Sequence, residues 1–215
     1  MNSAKFYTET KKAYDINAND YLIKTSFGFV PPPLKKFIDS LNKGSRVVDL
    51  GCGLGLVSQL FKKPGIEYLG LDYSEATIEI AKKMNPNTKF LIKDFLKLDF
   101  KTNSVDAYIA IASLYHLNKP DFIKVIKDIY RTLVREGKLY LVMKKGNGEY
   151  FKRDPRYKSG SKFVTYFSKK ELLHILKEAG FAILESIIVK KSQVQKDTKS
   201  NYENRSVIVI TAEKF

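Results

Sequence analysis

The alternation of hydrophobic and polar positions along this 215-residue chain predicts strands and helices in a regular order. Strand-like runs lie near residues 46–50, 67–72, 89–93, 105–111, 138–143, 181–189 and 205–212. Helical runs lie near 34–41, 54–62, 75–84, 119–134 and 169–179, and Pro31-Pro32-Pro33 breaks the chain before the first of them. This order predicts an α/β fold with a mostly parallel sheet and helices on both faces.

Local signals at the ends of these runs support the helices. Three polar residues stand where a side-chain oxygen can cap a helix: Ser74, Asn118 and Ser168. Gly180 is predicted to end the last helix. The last two strands, joined by the polar connection from Lys191 to Asn204, predict an antiparallel hairpin at the sheet edge, with a connection long enough to be mobile.

The most informative segment is the turn after the first strand. Residues 47–55 read Val-Val-Asp-Leu-Gly-Cys-Gly-Leu-Gly, and alternating glycines let backbone amides approach a ligand closely. A dinucleotide fingerprint needs glycine at the position of Leu56. Asp49 would repel a pyrophosphate but suits a ligand that carries an ammonium group. The turn therefore favours a nucleoside that bears an amino acid.

This segment resembles motif I of the class I S-adenosylmethionine-dependent methyltransferases, a resemblance that covers about residues 34–215. Two further strand ends match the family, because Asp72 closes the second strand and Asp94-Phe95 follows the third. The resemblance implies a Rossmann-like seven-stranded sheet with an antiparallel last strand, ribose contacts from Asp72, and adenine contacts from Asp94 and Phe95. The predicted donor-binding set is Tyr14, Tyr21, Asp49, Gly51, Cys52, Gly53, Asp72, Tyr73, Asp94, Phe95 and Ala110.

The N-terminal segment also resembles a family feature. The run Tyr14-Asp15-Ile16-Asn17-Ala18-Asn19-Asp20-Tyr21 is similar to the Tyr-Asp-x-x-Ala-x-x-Tyr signature of many small-molecule and some tRNA-modifying methyltransferases. There it implies a lid over the donor, and we expect residues 15–29 to be helical or an ordered lid. Tyr14 and Tyr21 are then expected on one helical face. A plain amphipathic helix on the sheet is the alternative. The predicted division is a lid segment at 1–33 and a methyltransferase domain at 34–215.

The acceptor side is predicted after the fourth strand. In the resembling family the stretch from Ala112 to Leu117 passes beside the methyl donor. His116 is a candidate general base for a hydroxyl or amine acceptor, and Tyr115 and Tyr14 join it as candidate catalytic residues. His116 packing or capping the next helix is the alternative. No metal is predicted, since the chain has two histidines.

Two nucleic-acid reactions are disfavoured by missing residues. The chain has Ile111-Ala112-Ser113-Leu114 where enzymes that methylate exocyclic amines of bases usually carry Asn/Asp/Ser-Pro-Pro-aromatic. Methylation at base C5 needs a nucleophilic cysteine. The one cysteine, Cys52, lies in the glycine turn, where it most simply packs under the ligand.

The charge of the chain does not decide which kind of molecule accepts the methyl group. Lys plus Arg number 38 against 23 acidic residues, giving a net charge of +15, but only six of the 38 are Arg, the residue on which nucleic-acid sites depend most. The segment 144–162 holds seven basic residues against Glu149 and Asp154, with Tyr150, Phe151 and Tyr157 among them. It is a candidate for binding RNA, an anionic small molecule, or solvent only.

These observations predict a methyltransferase that transfers the methyl group of S-adenosylmethionine to O or N of a small molecule and releases S-adenosylhomocysteine. The alternatives are a tRNA or RNA methyltransferase that uses the 144–162 segment, and a non-catalytic S-adenosylmethionine-binding protein. The apolar runs are too short and interrupted to span a bilayer, and the lone cysteine fits a reducing compartment. We therefore expect a cytoplasmic monomer or homodimer with no membrane partner.

Overall fold

Seven strands form one sheet in the computed structural model, which describes residues 3–24, 33–61, 65–154, 160–190 and 206–215. The strands of the sheet are β1 (Arg46–Leu50), β2 (Glu67–Asp72), β3 (Lys89–Ile92), β4 (Val105–Ile111), β5 (Leu133–Lys144), β8 (Phe181–Lys190) and β9 (Ser206–Lys214). A separate hairpin consists of β6 (Glu149–Arg153) and β7 (Ser161–Thr165). The helices are α1 (Ser3–Ile16), α2 (Ala18–Lys24), α3 (Pro33–Asp39), α4 (Glu75–Met84), α5 (Lys119–Thr132) and α6 (Lys169–Glu178).

The sheet order is β3-β2-β1-β4-β5-β9-β8. Strands β1 to β5 pair in parallel, whereas β9 runs antiparallel to both of its neighbours, β5 and β8. The strand order reverses beside β1, so the carboxyl ends of β1 and β4 open a crevice, which is the usual ligand position in such sheets. The predicted fold class is confirmed, including the antiparallel hairpin at the edge.

The predicted helix signals are also confirmed. The side chains of Ser74, Asn118 and Ser168 each accept a hydrogen bond from a backbone N–H in the first turn of α4, α5 and α6, respectively. Gly180 follows α6 with a φ of +102°, a conformation that glycine adopts without strain. These caps fix where the helices begin, and they place α4 directly at the end of β2.

Three local predictions differ from the structure. The residues after the glycine turn form a 3-10 helix at Leu56–Phe61 rather than an α-helix over 54–62. The N-terminal segment is two helices that break at Asn17, whose Nδ2 donates a hydrogen bond to Ala13 O at 2.7 Å. Strand β5 begins at Leu133, inside the predicted helix 119–134 and ahead of the predicted strand start at 138. Glu136 takes a φ of +61° in this early part, and the pairing with β4 shifts register between Val105 and Ala107.

The hairpin β6–β7 lies in and just after the segment 144–162, where no strand was predicted, and α1 packs against it. The rings of Phe6 and Phe163 stack at 4.3 Å between centroids, and the Phe163 N–H donates to Thr10 Oγ1 at 3.0 Å. Alternating residues in β7 face opposite sides, and both sides are covered: Phe163 is 4% exposed and Val164, on the other side, is 2% exposed. The N-terminal helix and the hairpin therefore pack directly against each other.

Several expectations concern residues outside the described ranges. These are the break at Pro31 and Pro32, the part of the predicted lid at 25–29, the ring of Tyr157 and the connection from Lys191 to Asn204. Among the helices that the structure describes, none has the length and apolar character needed to cross a bilayer.

Candidate active site

The glycine turn after β1 closes against the end of β2. Leu71 O accepts hydrogen bonds from the N–H groups of Gly51 at 2.7 Å and Cys52 at 3.0 Å. Gly51, Gly53 and Gly55 have φ angles of +77°, +52° and +69°, in the left-handed region. A Cβ on Gly51 would lie 2.3 Å from Cβ of Ser113, so this glycine is required by space as well as by φ.

Asp72 connects the turn to α4. Its Oδ2 accepts a hydrogen bond from the Gly53 N–H at 2.9 Å, and its Oδ1 accepts one from the Ser74 N–H at 2.9 Å. Burial raises the pKa of Asp72 to about 6, although these backbone bonds favour the ionised form. The carboxylate is thus held rigidly at the edge of the turn.

Asp49 lies deeper, with 2% of its surface exposed. The Tyr68 hydroxyl donates to its Oδ2 at 2.5 Å. Burial and the nearby charge of Asp72 raise the pKa of Asp49 to about 7, against the hydrogen bond from Tyr68, which lowers it. Two acidic groups whose ionised forms are disfavoured by burial fit a ligand that brings positive charge, as a sulfonium bearing an amino acid does.

An aromatic pair and an acid follow at the next strand end. Asp94 is exposed, and its Oδ1 accepts a hydrogen bond from the Leu96 N–H at 2.9 Å. The ring of Phe95 lies 5.7 Å from that of Tyr73, at an interplanar angle of 56°. This combination of apolar rings and a carboxylate offers the two kinds of contact that a purine needs, packing on its face and hydrogen bonding at its edge.

Two members of the predicted donor set lie under the turn or inside the sheet. Cys52 packs beneath β2, because a Cβ on Gly70 would come within 2.9 Å of its Sγ. Burial, followed by the charges of Asp49 and Asp72, raises the pKa of the Cys52 thiol well above its usual value, which leaves it protonated and a poor nucleophile. Ala110 is fully buried in β4 and exposes no surface to the crevice.

The two tyrosines of the N-terminal motif, Tyr14 and Tyr21, lie next to the glycine turn. A Cβ on Gly53 would lie 3.7 Å from the ring of Tyr21. The rings of Tyr14 and Tyr21 meet edge to face at 5.9 Å, although they belong to different helices. The break at Asn17 is what turns the second ring toward the glycines, so contact between the tyrosines does not depend on one continuous helix.

His116 links α1 to the hairpin. Its Nδ1 lies 2.5 Å from Phe163 O, and its Nε2 lies 3.0 Å from the Tyr14 hydroxyl. A carbonyl oxygen only accepts, so Nδ1 carries the proton and Nε2 accepts from Tyr14. Burial, together with the charges of Lys162 and Lys144, holds the pKa of His116 well below its ordinary value. The imidazole is therefore neutral, with its basic nitrogen directed at Tyr14.

Cationic groups surround this histidine. The Tyr115 ring lies 4.5 Å from the His116 ring, and the Lys144 ammonium lies 4.2 Å from the Tyr115 centroid. Lys162 Nζ lies 4.8 Å from the Tyr14 centroid and pairs with Asp154 at 2.7 Å, with both side chains 8% exposed. The predicted catalytic residues Tyr14, Tyr115 and His116 are thus brought together, in a surrounding with excess positive charge.

Asp15 belongs to the N-terminal sequence motif, but the motif did not predict what Asp15 contacts. Its Oδ1 accepts hydrogen bonds from Ser74 Oγ at 2.6 Å and from the Ala76 N–H at 3.3 Å, and its Oδ2 pairs with Lys11 at 3.0 Å. Asp15 therefore caps α4 from another helix. Its position directly after Tyr14 is a signal of a separate role. Consecutive residues of a helix project in different directions, so Asp15 and Tyr14 contact different partners.

Comparison with known proteins agrees with this geometry. Residues 48–141 match the family described as "Methyltransferase domain". Over 127 residues the chain is 31% identical to the probable tRNA methyltransferase 9B of Mus musculus, covering 57% of this chain and 28% of the relative. Over 138 residues it is 28% identical to the demethylmenaquinone methyltransferase of Renibacterium salmoninarum, covering 63% and 56%. The chain thus spans about a quarter to about half of the length of these relatives.

A solved structure shows the same fold. The 1,6-didemethyltoxoflavin-N1-methyltransferase of Burkholderia thailandensis, crystallised with 1,6-didemethyltoxoflavin and S-adenosylhomocysteine, aligns with a TM-score of 0.73 at 15% identity, over 100% of this chain and 91% of that one. The family match covers the glycine turn and the ends of β1, β2 and β4. Residues 48–141 are therefore similar to a methyltransferase domain, and the seven-stranded sheet of this chain has the fold of that solved methyltransferase.

Proposed function

We propose that this chain is an S-adenosylmethionine-dependent methyltransferase that acts on an oxygen or nitrogen of a small molecule. The observation that carries the proposal is the pair of buried carboxylates, Asp49 and Asp72, beside a glycine turn whose φ angles and close contacts admit no side chain. Such a site favours a cationic ligand that lies against backbone. When bound, S-adenosylmethionine supplies a methyl group on a sulfonium, whose sulfur leaves as a neutral thioether.

In this proposal the donor is held at three strand ends. Asp49 faces the cationic amino-acid part, Asp72 accepts hydrogen bonds from the ribose hydroxyls, and Asp94 with Phe95 contacts the adenine. The backbone of Gly51 and Gly53, which carries no side chain, comes close to the donor. Because methyl transfer needs the nucleophile, methyl carbon and sulfur in one line, rigid positioning is the main task of these residues.

We assign proton transfer to Tyr14 and His116. The acceptor atom forms a bond to the methyl carbon while the carbon–sulfur bond breaks and its electron pair stays on sulfur. Where the acceptor has a proton to lose, that proton passes to the Tyr14 oxygen as the Tyr14 proton passes to Nε2 of His116. The Nδ1–H bond to Phe163 O fixes the tautomer that makes this relay possible. Tyr115 packs on the imidazole and limits its rotation.

Residues 1–33 form the lid in this proposal, and residues 34–215 form the domain that binds the donor and acceptor. Support comes from Tyr21, which lies beside Gly53, and from Asp15, which ties α1 to the start of α4. Exclusion of water by such a cover strengthens the electrostatic contacts beneath it. We further propose that the protein is a cytoplasmic monomer or homodimer.

Calorimetric titration with S-adenosylhomocysteine tests the donor site. We expect Asp72→Ala to weaken binding by at least about tenfold, since a buried carboxylate that bonds two hydroxyls is lost. Asp99→Ala is the matched control, because this exposed carboxylate pairs only with Lys93 among the described residues. Equal affinity of Asp72→Ala and the unmodified protein would show that the ribose assignment is wrong.

A tRNA methyltransferase is the second candidate. Lysines and aromatic rings on the β6–β7 hairpin favour it, as does the name of the mouse relative. Electrophoretic mobility shift with bulk tRNA, repeated over a series of salt concentrations, separates the two functions. Binding that persists at physiological salt, followed by methyl transfer to the RNA, would favour this candidate over the first.

A further inference from the structure

One face of the β6–β7 hairpin carries a row of lysines and tyrosines. Tyr150 pairs with Val164 and Lys152 with Lys162 across the hairpin, and Tyr166 follows two positions after Val164. Since alternate residues of a strand share a face and directly opposed residues lie side by side, these five side chains lie on one face. The contact of Lys162 with the Tyr14 ring turns that face toward the proposed catalytic residues.

Lys152 is the central charge of this face. Its ammonium lies 4.9 Å from the Tyr166 centroid and 5.7 Å from the Tyr150 centroid, so two rings hold one cation. No ion pair joins Lys152 to an acidic residue in the part of the chain that the structure describes. Lys162, by contrast, already pairs with Asp154. A positive charge that is held between rings and has no ion pair among the described residues is suited to an incoming anion.

The tyrosines offer a place for a flat molecule. Tyr150 is 52% exposed and its ring meets that of Tyr166 edge to face at 6.2 Å. Tyr166 is 8% exposed, and its buried hydroxyl makes no hydrogen bond with any described residue. A buried hydroxyl without a partner carries a free-energy cost that a ligand can remove.

We propose that the methyl acceptor is a flat aromatic acid whose anionic group binds Lys152 beside Tyr150 and Tyr166, which places its ring next to Tyr14 and His116. This inference rests on the proposed methyltransferase function and names its substrate class. The charges near His116 agree with it, because Lys162 on β7 and Lys144 on β5 outnumber Asp154 after β6. An anionic acceptor balances that surplus.

The weak basicity of the imidazole also fits such an acceptor. Burial and two lysines keep the pKa of His116 well below its ordinary value, so it removes a proton efficiently only from an acidic group. The hydroxyl of a phenol is far more acidic than that of an alcohol. A phenolic hydroxyl on the ring can therefore accept a methyl group at this site without a strong base.

Titration of the full chain with aromatic acids and their neutral amides tests the inference. The probes are benzoate, hydroxybenzoate and indole carboxylate, each paired with its amide, and binding is followed by ligand-observed NMR with and without S-adenosylhomocysteine. We expect the acid to bind at least about tenfold more tightly than its amide, as one charge-assisted contact allows. In Lys152→Met, which keeps most of the apolar stem, the preference should fall to about twofold or less.

Lys83→Met is the matched control, an exposed lysine on α4 whose replacement should leave the acid preference unchanged. Equal binding of acids and amides, or a preference that survives in Lys152→Met, would overturn the inference. Binding of tRNA with no binding of any aromatic acid would also overturn it. Failure to bind S-adenosylhomocysteine would instead overturn the proposed function, and the acid preference is measured independently of it.

Discussion

The Tyr14 hydroxyl donates a hydrogen bond to Nε2 of His116 over 3.0 Å, joining two residues that are 102 positions apart. The second ring nitrogen of His116 is held by the backbone of β7. One imidazole thereby joins the N-terminal helix, the end of β4 and the hairpin. The bond orients the basic nitrogen, and it makes the phenol the outermost group of the proposed relay.

Removal of the two members of the relay should separate binding from turnover. We expect His116→Gln to lower kcat by about 100-fold or more while S-adenosylhomocysteine affinity changes by less than about threefold, because general base catalysis contributes at this scale. Tyr14→Phe should lower kcat about tenfold. Methyl transfer from isotopically labelled donor to a metabolite extract, with calorimetry alongside, measures both. Unchanged turnover in His116→Gln would remove it from the mechanism.

Donor affinity should rise with pH. Burial holds the pKa of Asp49 near 7 and that of Asp72 near 6, both above the value near 4 of an unfolded chain. The ammonium group that S-adenosylhomocysteine shares with the donor binds an ionised carboxylate better than a neutral acid, so the affinity for S-adenosylhomocysteine should be at least about tenfold greater at pH 8 than at pH 5.5. Calorimetry across this range measures the slope. Asp49→Asn should flatten the upper part of the curve, and an unaltered slope in that variant would contradict the assignment.

The same two carboxylates affect folding with the opposite sign. Their pKa values are raised in the folded state, so the folded protein binds more protons than the unfolded chain between about pH 4 and pH 7. Their contribution to stability is complete below about pH 4 and is lost as the pH rises through 6 and 7. Ligand-free protein should therefore gain stability near neutral pH when Asp49 is replaced by Asn, as measured by urea unfolding at pH 7.5.

Tyr68→Phe should shift the pH profile without removing any acid. The Tyr68 hydroxyl is the hydrogen-bond donor that lowers the pKa of Asp49 against the effect of burial. Without it the pKa of Asp49 should rise, and the midpoint of donor binding should move to higher pH. Tyr73→Phe is a comparison from the same crevice whose hydroxyl does not contact Asp49, and its midpoint should stay in place.

Asp15→Ala should destabilise the protein by about 1–2 kcal/mol, the usual cost of losing a helix cap, because α4 loses the acceptor of its Ala76 N–H and Ser74 Oγ. Denaturation in urea measures this change. Glu79→Ala, at an exposed position in the middle of α4, should change stability by less than about 0.5 kcal/mol. A smaller loss in Asp15→Ala than in the control would show that the cap is not needed.

Local signals in the sequence predicted most of the fold. The caps at Ser74, Asn118 and Ser168 and the glycine spacing at 51–55 each act within a few residues, so a pattern reports them directly. The hairpin was missed because residues 144–162 are mostly polar and basic on one side, which resembles a solvated connection. Its strands are stabilised by α1, a partner that lies far away in the sequence.

Contacts between residues that are far apart in the sequence are also the part of the site that was not predicted. The strand-end acids Asp49, Asp72 and Asp94 follow apolar runs, so the topology of a parallel sheet brings them to one edge. By contrast, the bond between Asp15 and Ser74 spans 59 positions and that between Tyr14 and His116 spans 102. No periodicity reports such contacts. The motif around Tyr14 indicated that the segment covers the donor but not which group each side chain would meet.

The place of β9 in the sheet has a consequence for assembly. Strand β8 is made before β9, yet within the described residues its sheet hydrogen bonds go only to β9, and β9 in turn pairs with β5. The ribosome therefore releases β8 before there is an edge that it can join. Pairing of this kind between distant segments forms slowly. We expect this side of the sheet, farthest from the glycine turn, to close after the donor-binding half has already formed.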